Sequence, residues 1–267
     1  MRKPRQIKRL CELSNDDFLS HVADGVNLAM ENAHSYLHSA DALAGCDPGR
    51  AVAHLRSVAE EEAAKVLILI DAVRCPRRAD TNEMFLRQLS YFGNHLARGV
   101  YAWYACNNPA TFEEAREIVD SALQSRYYDG EEGELEYRNW ILGDREEILY
   151  VDYVEENGEC FWVSPKQMDT MTACAHPGPS QVVDLADALV RLGCGTAAGL
   201  NIIADIWQPL VISDSLNWFE YREHNVQAVR SLSNVGLSER AEDYHGRIVI
   251  DGWAFPLYSL NLPRIPL

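Results

Sequence analysis

Apolar residues return every three or four positions along most of this chain, the spacing that gives a helix one buried stripe. The first such run follows Asn15-Asp16-Asp17, a helix-start signal, and reaches about Ala44. Its stripe is Phe18, Val22, Val26, Met30, Ala33, Leu37, Ala40 and Leu43. Residues 45–49, Gly-Cys-Asp-Pro-Gly, read as a turn, with Pro48 suited to the next helix's first position. That second helix carries Leu55, Val58, Val66, Leu69 and Val73 on one face and stops before Pro76. A third is expected over 81–105, striped by Phe85, Leu89, Phe92, Leu96, Val100 and Trp103. A short amphipathic helix follows over 112–124.

The period then changes. Tyr150 to Tyr153 and Cys160 to Val163 predict two short strands about a Glu-Asn-Gly turn. Helical turns are expected through Arg145-Glu146-Glu147 and after Pro165, before Pro177-Gly178-Pro179 interrupts. Residues 181–207 predict one long helix, and Asp214 is placed to cap another reaching Leu232. The proline-punctuated end, from Gly246, reads as a strand or an extended strap. The expected architecture is mainly α: an antiparallel helical bundle with a small β-containing appendage and an extended C-terminal tail. Residues 1–208 read as the helical domain, with an acidic loop and the hairpin within 125–165. Residues 209–267 read as an added helix and extended segment.

Composition narrows the classes. The 267 residues are 47% hydrophobic, enough for one large core or two small ones. No apolar run approaches the roughly 18 residues of a membrane span. The basic N-terminus has no apolar stretch after it and does not read as a secretory signal. Seven cysteines (11, 46, 75, 106, 160, 174 and 194) lack any Cys-x-x-Cys spacing, so reduced thiols and a cytoplasmic location are expected. The net charge of −16 repels bulk nucleic acid except where cations cluster, as at Arg74, Arg77, Arg78 and Arg87.

The second helix breaks its own pattern with Glu60-Glu61-Glu62 and Lys65. Glu61 stands four residues before Lys65, the favourable order for a helical ion pair. Glu62 falls on the apolar stripe, so it is expected to be the buried member and to need a partner.

Four segments together resemble the AbiV-type abortive-infection proteins. They are Asn32-Ala33 with Ala40-Asp41-Ala42-Leu43; Glu61-Glu62 with Lys65; Phe92-Gly93-Asn94-His95 with Arg98; and Arg145 to Tyr153 with Trp162 and Pro165. Arg98 stands where that family usually has lysine. The resemblance spans roughly residues 20–207 and leaves the last sixty unmatched. It implies a cytoplasmic phage-defence protein that arrests growth or translation, held quiet until a phage-encoded protein engages it. It also implies a HEPN-like helical domain, a homodimer, and metal-independent RNA cleavage.

The chemistry such cleavage needs is a base for the 2′-hydroxyl proton, cations for the phosphorane charge and an acid for the leaving oxygen. On one continuous third helix, Arg87, Tyr91, His95 and Arg98 step by four, four and three and share a face. His95 is the candidate acid–base group, with Arg87 and Arg98 on phosphate. Glu61, Glu62, Lys65 and Tyr91 are candidate supports. The seven residues between Arg87 and His95 depart from the usual arginine-to-histidine spacing of HEPN nucleases. Arg240 and His245 meet that spacing but lie in a segment read as loop. Alternatively, His95 only hydrogen-bonds Glu61 or Glu62 across the bundle, and the protein acts as a non-catalytic interaction module. A metal reading rests on Glu31-x-x-His34, on His34 with His38, or on Cys174-x-His176 with Cys194. Each set is short of ligands, so neither metal nor cofactor is expected.

Overall fold

The computed structural model describes residues 6–44, 49–123, 126–128, 135–137, 150–156, 158–163, 180–234 and 241–260, with single positions 141, 237 and 262. The chain is mainly α-helical. Residues 45–48 of the expected turn over 45–49, the helical turns near 145 and 165, and Arg240, Cys174 and His176 lie outside the described residues.

Helix α1 (Asn15–Ala44) and α2 (Arg50–Arg74) follow the predicted stripes. The cap of α1 is Ser14, whose hydroxyl accepts from Asp17 N at 3.2 Å and donates to its carboxylate at 2.7 Å. Asp41 pairs with Arg56 near one end, while Gly25 abuts Leu69 near the other, so the two helices run antiparallel. From Val66 to Arg74 every residue of α2 is buried. This all-round burial fits a central helix, against which the helices at 15–44, 82–91, 95–104, 181–189 and 197–207 pack.

The expected third helix is two helices, α3 (Asn82–Tyr91) and α4 (His95–Tyr104). Gly93 ends the first, and Asn94 caps the second by accepting from Leu96 N at 3.0 Å and Ala97 N at 3.4 Å. Helix α5 (Phe112–Leu123) follows.

Two small antiparallel hairpins come next: β1 (Arg126–Tyr128) with β2 (Leu135–Tyr137), and β3 (Asp152–Glu156) with β4 (Glu159–Val163). The second is the predicted hairpin, with its first strand at 152–156 rather than the expected 150–153 and Gly158 at φ +80°.

The long helix expected over 181–207 is also broken. Helix α6 (Gln181–Leu189) widens into a π-type turn at Val190–Cys194, and α7 (Ala197–Trp207) leaves at about 102°. Gly193 makes the corner at φ +119°, and Thr196 caps α7 by accepting from Gly199 N at 3.0 Å. Among the described residues no single helix is long and apolar enough to cross a membrane; this bent pair passes by length and composition only.

Helix α8 (Trp218–Asn234) starts later than expected. Asp214 is not its cap but pairs with Arg116; Asn217 accepts from Glu220 N at 3.0 Å instead. The expected extended end begins as helix α9 (Asp243–Gly252), and among the described residues 253–260 and 262 form a strap. The strap is not solvated. Trp253, Phe255, Leu257, Tyr258, Leu260 and Leu262 join the same core as Phe18 and Ile68.

Candidate functional site

Helix α2 presents Glu61 to α4, and the helix break at Gly93-Asn94 delivers His95 to it. His95 Nδ1 lies 3.0 Å from Glu61 Oε2, and Arg98, one turn on, lies 3.2 Å from the same oxygen. Arg98 also sits 2.7 Å from His95 Nδ1. The carboxylate and guanidinium are shielded, at 11% and 8% side-chain exposure, while the imidazole is 44% exposed. An ordered, desolvated pair thus holds an accessible ring.

The two contacts on Nδ1 select opposite tautomers. If Nδ1–H donates to Glu61, Nε2 carries the lone pair and acts as a base. If Nδ1 accepts from Arg98, Nε2 carries the hydrogen and acts as a donor. The contact with Glu61 is common to the catalytic and the purely structural readings. The exposure of the ring is what makes proton exchange with a ligand possible.

Lys65 pairs with Glu62, three residues before it, rather than with Glu61. Its ammonium lies 5.4 Å from the Phe92 ring centroid, beside the loop that carries His95. Glu62 is not the more buried carboxylate: its side chain is 12% exposed against 11% for Glu61, and Glu61 is the one that meets α4.

Arg87 and Tyr91 belong to a different place. The break between α3 and α4 destroys the common face on which the four residues were expected. Arg87 donates to Tyr258 O at 3.3 Å; the Tyr91 hydroxyl donates to Leu260 O at 2.9 Å and accepts from Leu262 N at 3.0 Å. Both residues hold the C-terminal strap.

A second polar centre lies under that strap. Arg74 pairs with Asp71 at 2.7 Å and donates to Tyr221 OH at 2.7 Å, with its guanidinium over the rings of Trp253 and Trp207. Asp71 also accepts from Tyr101 OH at 2.7 Å and Leu257 N at 3.0 Å. Burial pushes the Asp71 carboxyl up, opposed by the Arg74 charge and these donors; burial pushes Arg74 down, but Asp71 together with Tyr221, Tyr258 and Tyr101 holds it above its ordinary value. Burial and Asp71 together drive the Tyr101 hydroxyl far above the usual phenol range. Both charges are almost wholly buried, so this is a clasp joining α2, α4, α8 and the strap rather than a site open to substrate. A cavity of about 20 Å³ beside it is lined by Arg74, Tyr101, Tyr104 and Phe255 among others.

Two other histidines face Asp187. His34 Nε2 lies 3.2 Å from Asp187 Oδ1, which also pairs with Arg191. His245 is not in a loop; it lies buried in the first turn of α9, where Nδ1 accepts from Glu242 N at 2.9 Å. That bond leaves the hydrogen on Nε2, facing Asp187 at 3.9 Å. An Nε2 that carries hydrogen cannot ligate a metal. Among the described residues no group of three or more His, Cys, Asp or Glu is arranged to hold one.

Sequence reasoning missed the Asp71–Arg74 clasp and the Asp187 cluster, because their partners come from distant segments. Compared with known proteins, the chain matches no family model, no curated protein and no solved structure.

Proposed function

We propose that this protein is a cytoplasmic abortive-infection effector with a HEPN-like helical domain, acting as a metal-independent endoribonuclease through His95. The observation that carries the reading is the convergence of two segments that bear the AbiV resemblance. Glu61 of the Glu-Glu-x-x-Lys segment and His95 of the Phe-Gly-Asn-His segment, 34 residues apart, meet at 3.0 Å. Arg98 joins them from the next turn of α4.

The reaction needs little more than these groups. His95, oriented by Glu61, removes the 2′-hydroxyl proton through Nε2; the 2′-oxygen attacks phosphorus and the 5′-oxygen leaves. The resulting imidazolium is stabilised by Glu61, as a buried carboxylate stabilises any cation it faces. Arg98 fixes that carboxylate and adds positive potential behind the ring. In a homodimer the second copy of the site supplies the acid for the leaving oxygen. Arg87 and Tyr91 take no part; they hold the strap. The chain's overall negative charge keeps constitutive RNA binding weak, which suits a protein silent until a phage-encoded protein engages it.

A non-catalytic module that blocks translation by contact is the alternative, favoured by the exposed aromatic hairpin β3–β4. Wild type and His95→Ala, induced in cells with and without phage at equal folded levels, separate the two. Growth arrest with RNA fragmentation in wild type alone supports catalysis. Arrest by His95→Ala, or arrest with intact RNA, overturns it.

A further inference from the structure

Hairpin β3–β4 is built as though its surface were meant to be covered. Tyr153 and Trp162 are cross-strand partners, 59% and 66% exposed, with ring centroids 4.9 Å apart. Tyr150 and Val151 just before the strand, and Phe161 on the other face, are exposed too. Among the described residues no helix packs extensively on either strand, and the sheet has only these two strands, so both outer edges are unpaired. A lone two-stranded hairpin with this much exposed apolar area is marginal in water.

Its charge says what covers it. Residues 150–163 contain Asp152, Glu155, Glu156 and Glu159 and no lysine or arginine. The register sets Glu156 directly opposite Glu159, so the sequence places two acidic positions across from each other. The same charges repel a second copy of this chain, a phosphate backbone and an anionic membrane alike. Electron-rich ring faces in an acidic segment attract guanidinium and ammonium groups instead.

We propose that this hairpin is a docking site for an extended, arginine- or lysine-bearing segment of a partner protein. The segment lies along a free strand edge, with its cationic side chains on the Tyr153–Trp162 shelf. This rests on the hairpin alone and stands whether or not His95 is catalytic.

The test uses the full chain and a labelled peptide of alternating arginine and valine, read by fluorescence anisotropy. A peptide of alternating glutamate and valine and a short single-stranded RNA serve as controls. The expected result is binding of the arginine peptide alone, weakened about tenfold or more in Tyr153→Ala/Trp162→Ala. The melting temperature of that variant stays unchanged, because the hairpin stands off the bundle. No binding of the arginine peptide, equal binding by wild type and variant, or preference for RNA would each overturn the proposal.

Discussion

Neutralising Asp71 without changing its shape tests the clasp under the C-terminal strap. Asp71→Asn keeps an oxygen for Tyr101 OH and Leu257 N but leaves the Arg74 guanidinium without its counter-charge. Side-chain exposures of 3% and 1% exclude solvent screening, so stranding the guanidinium belongs to the range for a broken buried pair, about 3–5 kcal/mol, offset in part by relief of the burial that raises the Asp71 carboxyl. Arg74→Met strands the Asp71 carboxylate and costs a similar amount, while Tyr221 OH retains Ala254 O at 2.7 Å. The double variant buries neither charge. It therefore loses no more than either single variant, against about 6–10 kcal/mol if the two losses added. The exposed pair Arg222–Asp251 is the control: Asp251→Asn costs about 1 kcal/mol or less. Urea unfolding followed by far-UV circular dichroism, extrapolated linearly to water, gives all four values. Additive losses, or an Asp71→Asn cost no larger than that of Asp251→Asn, would refute the clasp.

Three further outcomes are expected. In native alkylation followed by mass spectrometry, exposed Cys160 reacts before the buried cysteines among the described residues. Cys75 and Cys194, whose burial pushes both thiols up to about 12, stay unmodified at neutral pH; early labelling of either contradicts their placement. Burial and the neighbouring Asp187 raise the Asp184 carboxyl, so the native state holds that proton more tightly than the unfolded chain and stability is lost as pH rises through the raised value. Asp184→Asn should thus help melting temperature more at pH 7 than at pH 4, and the opposite order would sink the assignment. Gly193→Ala forces a side chain into φ +119° with its Cβ 2.8 Å from Leu237 Cβ, so it should cost about 2 kcal/mol or more in the same urea assay; a neutral result would mean the corner is not as drawn.

Much of the helical frame was legible because its signals are local. The stripes of α1 and α2 and the existence of the β3–β4 hairpin follow from periodicity and turn residues within each segment. The breaks were also written in the chain, as Gly93-Asn94 and as Gly193-Cys194-Gly195-Thr196, each a helix end followed by a cap. The unbroken apolar stripes of 81–105 and 181–207 outweighed them. The site was half legible. Glu61, His95 and Arg98 converge as their types suggested, but once α3 stops at Tyr91, Arg87 points to the strap. The clasp left no local trace, because Arg74 and Asp71 find Tyr221 and Leu257 147 and 186 residues away. The first turn of α9 was hidden because His245 caps its own helix by accepting from Glu242 N, a role glutamine or glutamate usually fills.

The central claim is that His95 starts an attack by the neighbouring 2′-oxygen. The direct measurement is the chemistry of the RNA ends in cells arrested by the wild-type protein, with His95→Ala alongside. The account predicts 2′,3′-cyclic phosphate and 5′-hydroxyl termini that vanish in His95→Ala. Ends bearing 3′-hydroxyl and 5′-phosphate, or intact RNA in arrested cells, would contradict it.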